Sequence, residues 1–213
     1  MEKIFNLAQN IVYITDLSNQ IDFEIINDEF QKLEFVENIE NTISAKKDFF
    51  DCPQLFKFKS IIEAECKEYI NKSYGIQDQY DDLKITKSWA NITYGGQSHH
   101  EHHHPFSVVS GVIFLDNSQE NLHLSLKVLA PEIPYFISDW VDSTKLRDIL
   151  IHYGLDPTES NHLKNHLVIF LSSCVHRVDK TPIDSKPRRT ISFNTFWVGT
   201  VGKEHELASI NFK

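Results

Sequence analysis

At 213 residues the chain is long enough for one generous core or a barrel with a helical layer, and a second independent domain would be cramped. Hydrophobic residues at 41% and charged residues at 24% argue against extended disorder, and the 12% aromatic share rests largely on fifteen Phe and seven Tyr. The net charge of −9, with no basic cluster larger than Arg188-Arg189, leaves little to build a phosphate-tracking surface from, so nucleic acid is a poor partner.

Cys52, Cys66 and Cys174 are odd in number and contain no C-x-x-C, which reads as reduced thiols in a cytoplasmic setting, in a bacterium or a host cell. No apolar run reaches the roughly 18 residues of a membrane span, and Met1-Glu2-Lys3-Ile4-Phe5 has no signal-peptide organisation. Along the chain, Phe23, Ile26, Phe30 and Leu33 recur at helical spacing and predict an amphipathic helix over about 18–37, with Ser18 as its cap. Asp51 and Pro53 then signal the start of a second helix, whose stripe Leu55, Phe58, Ile62, Cys66 and Tyr69 fades at Gly75. Beyond Gly75 the texture becomes β-branched and aromatic in short segments: Leu83–Tyr94, Ser107–Leu115, Leu122–Leu129, His166–Leu171 and Arg189–Val198. A helical signal returns only around Ser143–Tyr153 and reads as an insertion or short lid, and the loops 130–140 and 155–165 are further lid candidates. The expectation is a single domain, α+β and mainly β. A helical N-terminal layer over about 1–78 packs on one face of an antiparallel sheet or barrel over about 79–200.

Five of the eleven histidines fall in His99-His100-Glu101-His102-His103-His104, directly before Pro105. Imidazoles this crowded repel one another if they share one charged state, and a bound metal ion removes the problem. A His-x-His pair in extended chain puts both rings on one face. A solvated loop that chelates metal adventitiously is the plainer reading of the same run. A third ligand is offered by His176, which follows the apolar run Leu167–Leu171 and a small-residue bend. Arg188 opens an alternating run in which Arg188, Thr190, Ser192 and Asn194 share one face and Arg189, Ile191 and Phe193 the other. An Arg with a hydroxyl two residues on, facing a barrel interior, makes a carboxylate receptor, whereas Arg188 facing outward would be an ordinary surface cation.

In order, the motifs are Trp89-Ala90-Asn91, Gly96, His102-His103-His104-Pro105, Ser110-Gly111-Val112-Ile113-Phe114-Leu115, His176-Arg177-Val178 and Arg188 through Asn194. This order over about residues 83–198 resembles the 2-oxoglutarate- and Fe(II)-dependent oxygenases, and among them a branch met in phage and marine bacterial genomes. The resemblance implies a double-stranded β-helix, or jelly roll, with Fe(II) at one mouth of the barrel and 2-oxoglutarate and O2 as co-substrates. By position it implies His102, His104 and His176 as catalytic metal ligands, Arg188 and Thr190 on the distal carboxylate of 2-oxoglutarate, and Asn91 beside them.

Two departures stand out. The superfamily's usual triad is His-x-Asp/Glu…His, and His104 occupies the carboxylate's place. Phe114 stands where many relatives carry Tyr. The pair His99-x-Glu101 with His176 is an alternative triad, and Glu101 is otherwise a candidate to compensate charge from an outer position. The implied activity is a hydroxylase-type dioxygenase acting on a small molecule or a protein side chain, with oligomeric state open. Two rival readings use the same histidines. One is a cupin-type isomerase or hydrolase, for which Glu120 or Glu132 would have to supply a carboxylate; the other is a non-catalytic metal- or sugar-binding β-sandwich.

Overall fold

The computed structural model describes residues 3–7, 10–74, 80–116, 124–127, 163–202 and 209–212. The predicted helix over 143–153, most of the two lid-candidate loops, Glu120 and Glu132 lie outside them. Among the described residues no helix is long and apolar enough to cross a membrane.

The N-terminal stretch contributes strands as well as helices. β1 (Lys3–Leu7) and β2 (Asn10–Asp16) form an antiparallel hairpin, and β3 (Phe35–Glu37) and β4 (Thr42–Ser44) form a second. Between them α1 (Phe23–Gln31) buries Ile26 and Phe30. It is shorter than expected and is capped by Asp22, whose carboxylate accepts the Glu24 N–H at 3.0 Å. Ser18 is instead drawn into a local turn, its N–H donating to Asp16 at 2.8 Å. Two single 3-10 turns, Phe49–Asp51 and Pro53–Leu55, lead into α2 (Phe56–Tyr74), which buries Phe58, Ile62, Cys66 and Tyr69 as the spacing predicts, with Ile70 buried beside them.

The later strands are β5 (Tyr80–Thr93), β6 (His99–His102), β7 (Val109–Phe114), β8 (Leu124–Lys127), β9 (His166–Leu171), β10 (Val175–Val178), β11 (Arg188–Val201) and β12 (Ile210–Phe212). They assemble into a large sheet of order β1-β2-β9-β7-β11-β5-β4-β3, with β12 also paired to β11, and a small sheet of order β6-β10-β8. Among the described residues every pairing between these strands is antiparallel.

The large sheet sends alternate side chains to two different surroundings. Tyr13, Ala90, Val109, Ile113, Leu167, Ile169, Ile191 and Phe193 join the helices in the main core. Their neighbours Val12, Ile14, Phe114, Val168 and Phe170 turn to the opposite face, where Cys174 and Val178 from the β10 segment meet them. Gly111 sits opposite Phe193 in the β7–β11 register, and a Cβ there would lie 2.4 Å from the Phe193 ring. The glycine is therefore required by close packing. The space between the large and small sheets becomes a cleft where apolar packing gives way to polar side chains.

Candidate functional site

The cleft spans about 560 Å³ with its open mouth included. It receives all six residues singled out in the sequence: His102, His104, His176, Arg188, Thr190 and Asn91. The small sheet positions two of the histidines, because β10 pairs with β6 so that His176 lies opposite His102, with ring centroids 4.3 Å apart. His104 follows two residues later. Its backbone N–H donates to the carbonyl of Ser172 at 2.9 Å, which ties it to the end of β9. Its ring lies 4.9 Å from that of His102, 5.0 Å from that of His176 and edge-on to Trp89. One nitrogen from each of the three lies within 4.8 Å of the others, close enough to hold a single metal ion.

The tautomers follow from the backbone. Nδ1 of His102 lies 2.8 Å from the His100 carbonyl, and Nδ1 of His176 lies 2.9 Å from the Cys174 carbonyl. A carbonyl only accepts, so each Nδ1 carries the proton and each Nε2 keeps its lone pair for a metal. Burial pushes the His104 imidazole down to about 4 and His176 well below its ordinary range, and repulsion from the neighbouring rings acts in the same direction. His102 is also lowered, chiefly by burial. All three rings are therefore neutral near pH 7, the form that ligates metal.

Arg188 opens β11 opposite Thr93 and is 5% exposed, with its guanidinium carbon 6.0 Å from the centre of the Phe114 ring. Burial lowers its pKa to about 10, which leaves it cationic at neutral pH. Among the described residues its Nε has no hydrogen-bond partner and no carboxylate pairs with it. A buried cation without a counter-ion is costly, and an anionic ligand in the cleft would relieve that cost. Arg189, one residue on, faces away. Its guanidinium reaches Asp116 at 2.6 Å and Asn27 at 3.0 Å. Beside Arg188, Asn91 donates to Ser192 at 3.0 Å and to Thr190 at 3.3 Å, while its own carbonyl oxygen is buried without a donor.

Glu101 lies on the exposed side of β6, with a carboxylate oxygen 3.4 Å from the Arg177 guanidinium. It is absent from the metal-competent groups among the described residues, so the alternative triad through Glu101 is not assembled. Sequence reasoning missed Ser172. Its hydroxyl lies 2.6 Å from that of Ser107 and 2.7 Å from that of Ser110, and its carbonyl holds His104. The polar pair Ser172-Ser173 directly after the apolar run Leu167–Leu171 was the available signal.

A family described as "Putative 2OG-Fe(II) oxygenase" matches residues 87–194, just over half of the chain and the stretch that carries Asn91, His102, His104, His176, Arg188 and Thr190. No curated protein matches the sequence. Several solved structures share the fold at low identity. The 2OG-Fe(II) oxygenase family oxidoreductase of Burkholderia pseudomallei matches with a TM-score of 0.55 at 8% identity, over 86% of this chain and 83% of its own. The non-haem α-ketoglutarate-dependent carbocyclase SnoK of nogalamycin biosynthesis matches with 0.59 at 10%, over 90% and 82%. HygX of Streptomyces hygroscopicus, solved with nickel, 2-oxoglutarate and hygromycin B, matches with 0.50 at 10%, over 86% and 82%. These likenesses establish the architecture of helices on facing antiparallel sheets as a double-stranded β-helix. On the match across residues 87–194, the chain belongs to the 2-oxoglutarate- and Fe(II)-dependent oxygenase family.

Proposed function

We propose that this chain is a dioxygenase that couples oxidative decarboxylation of 2-oxoglutarate to hydroxylation of a small molecule or a protein side chain. The observation that carries the reading is a buried arginine, without a counter-ion among the described residues, facing the same cleft as three neutral, converging imidazoles. Those are the two ends of a receptor for a ligand that is both a chelator and a carboxylate.

His102, His104 and His176 would hold Fe(II) through one nitrogen each, with the first two strands of the small sheet and the Ser172 carbonyl fixing their directions. When bound, Fe(II) supplies the oxidation with O2, converting 2-oxoglutarate to succinate and CO2 while a substrate C–H becomes C–OH. Arg188 would pair with the distal carboxylate, and its burial strengthens that pair by excluding water. Thr190 would add a hydroxyl to the same carboxylate, held in place by Asn91. Phe114 offers an apolar wall under the guanidinium and no hydrogen bond. Three neutral imidazoles bring no negative charge to the metal, one fewer than a two-histidine, one-carboxylate set supplies. The net charge of −9 argues against a nucleic-acid substrate, and the cysteine pattern points to a cytoplasmic enzyme.

The test is aerobic incubation of purified protein with Fe(II), ascorbate and 2-oxoglutarate. Succinate that requires all three of protein, Fe(II) and O2 is the expected result. A metal-loaded protein that leaves 2-oxoglutarate intact, alone and with candidate substrates, would instead favour a Lewis-acid or binding role for the same histidines.

A further inference from the structure

β6 and β10 run out of step. His176 lies opposite His102 but Val178 lies opposite His99, so three steps along β6 are matched by two along β10. One extra residue on one strand is a β-bulge. In a regular strand His99 and His102, three apart, point to opposite faces. The bulge brings them together, with ring centroids 4.5 Å apart, and draws in His100 at 5.0 Å from His99 and 5.1 Å from His102. One nitrogen from each of these three rings lies within 4.8 Å of the others, a second metal-competent group beside that of His102, His104 and His176. The buried Nδ1 of His100 has no hydrogen-bond partner.

Both groups contain His102, and its Nδ1 is already committed to the His100 carbonyl. Only Nε2 remains, and one lone pair serves one ion. We propose that His99, His100 and His102 form an outer seat for a divalent transition ion of borderline softness, such as Zn²⁺, Ni²⁺ or Cu²⁺. This seat is mutually exclusive with the inner one because the two compete for His102 Nε2. The inference rests on the assignment of the inner seat to His102, His104 and His176. An ion in the outer seat takes His102 from the inner set and leaves it two imidazoles, so the outer seat is inhibitory. An ion in the inner seat leaves the outer set His99 and His100 alone, so a chain carries one ion and not two. At either all-imidazole seat nitrogen donors hold Ni²⁺ and Cu²⁺ more tightly than Fe(II), so those ions in excess would compete with Fe(II) for His102.

The test is anaerobic calorimetric titration of Ni²⁺ into metal-free full-length protein. Wild type should bind one ion per chain. The His99→Ala, His100→Ala double variant should keep one tight ion, because the His100 carbonyl that orients His102 belongs to the backbone. His176→Ala should still bind one ion, more weakly, and adding His99→Ala and His100→Ala to it should lower that affinity by about 100-fold or more, beyond the usual effect of removing an indirect partner. His104→Ala serves as a second way to break the inner seat, and melting curves by circular dichroism confirm that each variant is folded. Two ions per wild-type chain overturn exclusivity. No stoichiometric ion in folded His176→Ala or His104→Ala overturns the outer seat while sparing the inner one. Tight binding that survives His176→Ala unchanged but vanishes in the His99, His100 double variant overturns the inner assignment instead.

Discussion

The two faces of β11 look onto different surroundings, although they are built from the same consecutive residues. Toward the helices, Ile191 and Phe193 are fully buried among apolar side chains, with the Phe50 ring 6.5 Å from that of Phe193. Toward the small sheet, Arg188, Thr190 and Ser192 line a cleft whose cation has no counter-ion among the described residues. The helix face is complete without a ligand. The cleft face is not, and its unsatisfied groups describe what it is shaped to receive. A strand buried on both sides thus separates stability from recognition by the period of two.

The two faces should respond differently to substitution. The largest expected change is on the helix face: Phe193→Ala should destabilise the fold by about 3–5 kcal/mol through a core cavity, read from urea unfolding. On the cleft face, Arg188→Ala should weaken 2-oxoglutarate binding by about 2–5 kcal/mol in a calorimetric titration. It should cost little stability, because it removes a buried charge that no carboxylate among the described residues offsets. Equal damage to stability from both variants would erase the distinction. Gly111→Ala tests the packing between β7 and β11 and should cost about 1–3 kcal/mol of stability, since the new methyl meets the Phe193 ring. The smallest effect belongs to Arg189→Ala, about 1 kcal/mol or less in stability from its partly exposed pair with Asp116, with 2-oxoglutarate affinity unchanged.

Much of the cleft face was legible because it is local. Arg188, Thr190 and Ser192 lie on one regular strand, so their common direction follows from spacing, and the opposite direction of Arg189 follows with it. His176 was legible from its setting, a small-residue bend directly after the apolar run Leu167–Leu171. What escaped the sequence depends on pairing between distant segments. The bulge that turns His99 toward His102 is a property of the β6–β10 register, and strict alternation would have sent the two rings apart. Ser172 acquires its role only where β9 ends beside Ser107, Ser110 and His104. The hairpins β1–β2 and β3–β4 are edge elements whose short runs lie next to stronger helical stripes, and α1 took Asp22 as its cap because Ser18 was already held by Asp16.

The claim that most needs testing is that the histidine group and Arg188 grip opposite ends of one molecule. Anaerobic titration of 2-oxoglutarate into Mn(II)-equilibrated wild type, His176→Ala and Arg188→Ala addresses it without turnover. Each variant, folded by circular dichroism, should lose most of the wild-type affinity, and metal-free wild type should bind as poorly as His176→Ala with metal present. Undiminished 2-oxoglutarate affinity in His176→Ala, or in wild type stripped of metal, would contradict a shared ligand and separate the arginine from the metal centre.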